Sequence, residues 1–193
     1  MGPLFYADKF ILVGDPKQLP PLIRSRRAKE NGASVSLMEH LCNEHPRMLR
    51  QLTRQYRFNC DINELASKLT YENKMIAHEN GVNKQKLVNE VGDWCTKMNV
   101  PDWLRETIDP NKSITWVDTS RVQNLETKME SGYSNQVEIG LIDEIINGLS
   151  DNVKLNAKHI GVIAPYRAQI KALKTKLPNI TIDTVDKFQG KSL

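Results

Sequence analysis

Four short clusters of polar residues hold this chain's capacity for chemistry. In Gly14-Asp15-Pro16-Lys17-Gln18-Leu19-Pro20-Pro21, one acid and one amide share a loop too rich in proline to be helix or central strand. A carboxamide donates to a phosphate oxygen and accepts from water. Gln18 therefore suits sensing a terminal phosphate or orienting the water that attacks it, although a plain proline-fixed turn has the same residues. In Gln55-Tyr56-Arg57, the guanidinium can offset charge building on a transferring phosphoryl group, or sit in a surface ion pair. Ala164-Pro165-Tyr166-Arg167-Ala168-Gln169 sets a ring, a cation and an amide at the start of a helical pattern, where phosphate is favoured; a solvated helix start is the simpler alternative. Thr184-Val185-Asp186-Lys187-Phe188-Gln189-Gly190 puts a hydroxyl, an amide and a glycine after a strand pattern. The hydroxyl can bind a strand phosphate and the glycine permits close backbone approach, unless this is an ordinary strand end.

These clusters need elements to carry them. Phe10-Ile11-Leu12-Val13 is a continuous apolar run and predicts a buried strand that delivers the first loop. Ser34 is expected to cap a helix reaching His45, and Leu49 to Leu52 to form a short strand. Asp61-Ile62-Asn63-Glu64 has the cap pattern that opens a helix, with Ile62, Leu65, Ala66 and Leu69 at helical spacing. Residues 72–112 read as an irregular insertion with some helix. Ile114 to Val117 predicts a strand, residues 121–133 a mobile polar loop, and Ser134 the start of a helix with Val137, Leu141, Ile142, Ile145, Ile146 and Leu149 on one face. Ile160 to Ala164, Tyr166 to Leu177 and Ile180 to Val185 then read as strand, helix and strand. Such alternation predicts an α/β fold with a mainly parallel sheet and right-handed crossovers. Ligands in that architecture sit beyond the carboxyl ends of strands, where Asp15, Ser120, Pro165 and Asp186 all fall.

Composition sets the outer limits. With 193 residues, 39% hydrophobic and 26% charged, the chain has room for one ordinary domain or one and a half small ones. Its net charge of +4 is unevenly placed. Residues 1–60 and 151–193 are basic and residues 61–150 acidic, which suggests that the two ends meet an anion. No apolar run approaches a membrane span, so no membrane is expected. Cys42, Cys60 and Cys95 are odd in number and far apart, which predicts reduced thiols and no metal site.

Taken in order, the clusters resemble superfamily-1 helicases of the Upf/senataxin type, most closely the ATP-dependent helicase/nucleases of DNA replication. The segments that carry the resemblance are Phe10 to Leu22, Leu52 to Asn59, Leu69-Thr70-Tyr71-Glu72-Asn73-Lys74, Ile160 to Gln169 and Thr184 to Gly190. The resemblance implies an incomplete RecA-like (P-loop NTPase-type) domain. Residues 1–45 would be the tail of a first RecA-like domain and residues 46–193 a second one, truncated. It implies Gln18 and Arg57 as catalytic residues, the first sensing a γ-phosphate and the second an arginine finger. Asp15, Gln55, Tyr56, Gln189 and Gly190 would lie at the nucleotide, and Pro165, Tyr166, Arg167, Gln169 and Thr184 along a single strand. ATP with magnesium, single-stranded nucleic acid (DNA before RNA), the missing first domain and a nuclear location are implied with it. Three departures stand out. The phosphate-loop pattern Gly-x-x-x-x-Gly-Lys-Ser/Thr and the Asp-Glu pair for magnesium are not among these residues, and Ser192 stands where the family has an acid. The chain alone is therefore expected to be inactive. The competing expectations are a nucleic-acid-binding or protein-interaction module without chemistry, and a degraded gene product that does not fold.

Overall fold

A computed structural model describes residues 6–20, 22–79, 81–87, 100–123 and 126–189. It divides into two compact units, Met1–Tyr56 with Asn63–His78, and Arg57–Ile62 with Glu79–Leu193. The expected boundary at 45/46 falls inside the first unit.

In the first unit, helix α1 (Arg26–Glu30) is capped by Ser25 and helix α2 (Leu37–Glu44) by Ser36, whose Oγ accepts from Glu39 N at 3.0 Å. Ser34 is not the cap. It lies in a turn closed by Val35 N donating to Gly32 O, with Gly32 at φ 82°, so the helix starts after the turn. Phe10–Val13 forms no regular element and pairs with no strand among the described residues, and Ile11 and Val13 are 93% and 88% exposed. The expected buried strand is thus corrected to an exposed segment, because a fully buried strand needs both its faces covered and these side chains lie open to solvent.

Pairing also begins later than Leu49–Leu52. Strand β1 (Arg54–Gln55) runs parallel to β2 (Ile76–Ala77), with Arg54 opposite Ile76. Helix α3 (Cys60–Thr70) connects them. Its cap is Asn59, whose Oδ1 accepts from Ile62 N at 3.1 Å, rather than Asp61. The end of α3 is tied to the segment before β2 by polar groups. Asn63 Nδ2 donates to Met75 O and Met75 N to Ser67 Oγ, each at 3.0 Å.

In the second unit, helix α4 (Asp102–Thr107) is followed by a segment at Ile114–Val117 that forms no strand among the described residues. Trp116 there is 88% exposed, which corrects the strand expected at that place. The loop expected over 121–133 is in part an antiparallel hairpin of β3 (Glu126–Met129) and β4 (Gly132–Asn135). Helix α5 (Gln136–Asn152) is capped by Asn135 and begins two residues after the expected start at Ser134, which belongs to β4. Strand β5 (Gly161–Ile163), helix α6 (Arg167–Lys176), strand β6 (Thr181–Asp183) and helix α7 (Val185–Phe188) complete the unit. β5 and β6 pair in parallel with Ile163 opposite Asp183. Ile139, Ile146, Ile160, Ile170, Leu173, Leu177 and Ile182 close one apolar core between α5, α6 and the strands. Gly148 lets α4 come close, since a Cβ there would meet Ile108 Cδ1 at 3.1 Å. The result is a mixed α/β fold with small parallel sheets.

Candidate functional site

Asp15 organises the polar loop of the first unit. Its Oδ1 accepts from Lys17 N at 2.9 Å, and its Oδ2 from Gln18 Nε2 at 2.9 Å and from Tyr71 Oη at 2.6 Å. Gln18 N also donates to Asp15 O at 3.3 Å, closing the turn. Partial burial opposes ionisation of Asp15. The hydrogen bonds from Tyr71, Lys17 N and Gln18, with the Lys17 charge, outweigh it and hold the carboxyl below its ordinary range. The same Asp15 bond, with burial, pushes the Tyr71 phenol up. Gln18 is exposed, with its carboxamide turned by Asp15.

Gln55 and Tyr56 lie at the end of β1. Gln55 O accepts from His78 N at 3.0 Å. The Tyr56 ring is 63% exposed and stacks on His78, with centroids 4.4 Å apart and planes at 26°. That geometry suits contact with a flat aromatic base. These residues suit a nucleotide in part: an amide for a terminal phosphate and a ring for a base. Among the described residues, no group of three His, Cys, Asp or Glu side chains is placed to hold a metal ion.

Arg57 opens the second unit and is exposed. The turn behind it is held by side chains. Asn59 Nδ2 donates to Gln85 O at 2.9 Å and to Ser113 Oγ at 2.7 Å, and Ser113 Oγ donates to Asp61 Oδ2 at 2.6 Å. That bond from Ser113, with one from Cys60, holds the Asp61 carboxyl below its usual range.

The carboxyl ends of β5 and β6 bring the remaining predicted residues together. Ala164 N donates to Asp183 O at 3.2 Å, so Pro165 and Thr184 leave adjacent strands at the same rim. Pro165, Tyr166 and Arg167 are exposed, and Thr184 is partly buried at the start of α7. Gln189, exposed, ends α7; Gly190 lies outside the described residues. Gln169 differs from its neighbours. It is 5% exposed, and its amide is engaged by Ser134 Oγ, Asn135 N and Glu138 Oε2 at 3.1, 2.8 and 3.1 Å. The Asp183 carboxyl accepts from Thr184 N at 2.9 Å, which with Lys187 holds it below its ordinary range.

Residues 33–193 match a family profile described as an AAA domain, AAA_12, which is a superfamily-1 helicase family. The chain belongs to that family. Across 99% of its length the domain is also 34% identical to the DNA replication ATP-dependent helicase/nuclease JHS1 of Arabidopsis thaliana, and 33% identical to the dna2 helicase/nuclease of Schizosaccharomyces pombe. It is 34% identical to the DNA2 helicase/nuclease of Homo sapiens over the same share. It spans 14%, 14% and 19% of those relatives' lengths. The family match begins after the Asp15–Gln18 loop, whereas the relatives' similarity takes in nearly the whole chain.

Within this AAA domain, sequence reasoning left several site residues without a role. Tyr71 lies in the Leu69–Lys74 segment, but its partner Asp15 is distant in sequence and no spacing reveals the pair. His78 carried no signal. Gly132 did: a glycine between two polar runs is a hairpin cue that a polar-loop assignment passes over.

Proposed function

We propose that this chain contributes nucleotide sensing and single-strand contact to an ATP-dependent DNA helicase of the helicase/nuclease type, as the end of one RecA-like domain and most of a second. One geometric observation carries the reading: Pro165, Tyr166 and Arg167 share a strand-end rim with Thr184. The similarity to helicase/nucleases over 99% of the chain supports it, and the small share of their length that is covered supports a part rather than the whole motor.

In this reading ATP with magnesium, when bound, supplies the free energy of hydrolysis for stepping. Asp15 orients the Gln18 carboxamide toward a terminal phosphate, and Arg57 supplies a guanidinium of the kind that offsets charge on a transferring phosphoryl group. The Tyr56 ring, backed by His78, takes the base. Arg167 meets strand phosphate, Tyr166 a base, and Thr184 the strand backbone, while Gln169 positions rather than touches. Gln189 and Gly190 couple the strand side to the nucleotide side. The strand is DNA, the compartment the nucleus, and the remaining partner a first RecA-like domain. No described helix is long and apolar enough to cross a membrane.

The test is ATP turnover by the purified chain. The expected rate is background, since no phosphate-loop pattern is among its residues. Turnover clearly above background that Arg57→Ala abolishes would overturn the division of labour. A second reading, a strand-binding module without chemistry, is favoured by the confinement of the described apolar core to the unit that holds Tyr166 and Arg167.

A further inference from the structure

The β3–β4 hairpin is the part of the second unit that the motifs leave unexplained. All four residues of β3 are exposed, so burial of its own side chains does not account for its place. Specific contacts to the start of α6 do. Gly132 sits at φ 114°, and a Cβ built there would lie 2.7 Å from Tyr166 Cδ1 and 3.1 Å from Tyr166 Cβ and Cγ. The β4 backbone therefore lies directly against the Tyr166 side chain, at a position that only glycine fills without strain. Tyr133 meets the same ring edge-on, with centroids 5.3 Å apart and planes at 64°. At the end of β4, buried Gln169 fastens the strand. Its Oε1 accepts from Ser134 Oγ and Asn135 N, and its Nε2 donates to Glu138 Oε2 and, at 3.4 Å, to Asn135 O. Tyr166 nevertheless stays 43% exposed.

We propose that the hairpin Glu126–Asn135 is a positioning arm that holds the Tyr166 ring in one attitude for stacking on a base of single-stranded DNA, with Gly132 and Tyr133 as its positioning residues. This rests on the strand-contact reading above and adds to it. A ring already held by its neighbours loses less side-chain freedom when a base arrives, so affinity depends on residues that never touch the strand. Arg167, next along the chain, contributes through phosphate and does not need the arm.

The experiment compares binding of the whole chain to oligo-dT and to an abasic phosphate strand of equal length, by fluorescence anisotropy at low salt. Tyr166→Ala sets the affinity without stacking. Gly132→Val, which drives a branched Cβ into the ring, is expected to weaken oligo-dT binding about tenfold, toward the abasic value, with the salt slope unchanged. Tyr133→Ala leaves the glycine in place and is expected to act in the same direction by less. A folded Gly132→Val that keeps its preference for oligo-dT overturns the proposal. If that variant melts out, an unchanged preference in Tyr133→Ala overturns it instead. Arg167→Ala without effect on either strand defeats the strand-contact reading itself. The arm's geometry is read separately by nuclear Overhauser contacts between the Tyr133 and Tyr166 rings, expected in the wild type and lost in Gly132→Val. Their absence from the wild type also overturns the arm.

Discussion

The two units hold themselves together by different means. Every buried apolar residue among those described, from Leu104 to Ile182, belongs to the second unit. The first unit buries only Asn63 and Ser67 among its described residues, and both use hydrogen bonds to Met75 to fix the end of α3. Its apolar side chains at Ile11, Val13, Leu22 and Leu52 are more than four-fifths exposed. Apolar burial is the dominant favourable contribution to folding, whereas a typical hydrogen bond adds about 1 kcal/mol net. The second unit is therefore expected to be the stable one, and the first to be ordered locally by pins such as Asp15–Tyr71. The residues proposed for strand contact sit on the second unit and the loop proposed for phosphate sensing on the first, so in that reading the sensing element lies where order costs least to change.

Substitutions in the two units should separate these two kinds of stabilisation. Leu173, at 0% exposure, is the strongest lever. Leu173→Ala should cost about 2–5 kcal/mol in a denaturant titration, and a loss near zero would remove the core from the account. Gln169→Leu comes next. It strands Asn135 N and the Ser134 hydroxyl, and should cost about 1–3 kcal/mol by the same measurement. In the first unit, Tyr71→Phe should cost about 1 kcal/mol or less, because the bond to Asp15 is only partly buried. Its sharper signature is in pH. Asp15 has a lowered folded pKa, so its contribution is present above the ordinary carboxylate range and lost as pH falls through the folded value. Tyr71 has a raised one, so its contribution is lost only as pH climbs past the folded phenol pKa. Titration followed by carboxyl NMR should show the Asp15 pKa rising toward 3.8 in Tyr71→Phe. The smallest effect belongs to Leu69→Ala, 75% exposed, expected within about 0.5 kcal/mol; a larger loss would reveal apolar packing in the first unit.

The second unit was legible in the sequence because its elements are long or strongly periodic. The α6 pattern of Ile170, Leu173 and Leu177 specifies burial locally, whereas the apolar run Ile160–Ala164 forms its strand but buries only its ends, Ile160 and Ala164, with Ile163 left 54% exposed. Cap positions were displaced by one or two residues where another side chain competed, as Ser36 did with Ser34 and Asn59 with Asp61. Phe10–Val13 and Ile114–Val117 have strand composition, yet strand pairing is non-local and composition does not say whether a partner is at hand. Polar pins such as Tyr71 to Asp15 leave no periodic trace. Gln169 shows a limit of another kind: its place in a polar cluster suggested ligand contact, and only coordinates reveal that its amide is spent inside the protein.

Binding of single-stranded DNA by the chain itself is the decisive measurement. Anisotropy of a labelled single DNA strand should rise with protein at low salt, fall steadily as salt is added, ignore ATP, and weaken on Arg167→Ala. No binding at low salt, or binding indifferent to Arg167, would contradict the placement of a polynucleotide along the β5–β6 rim.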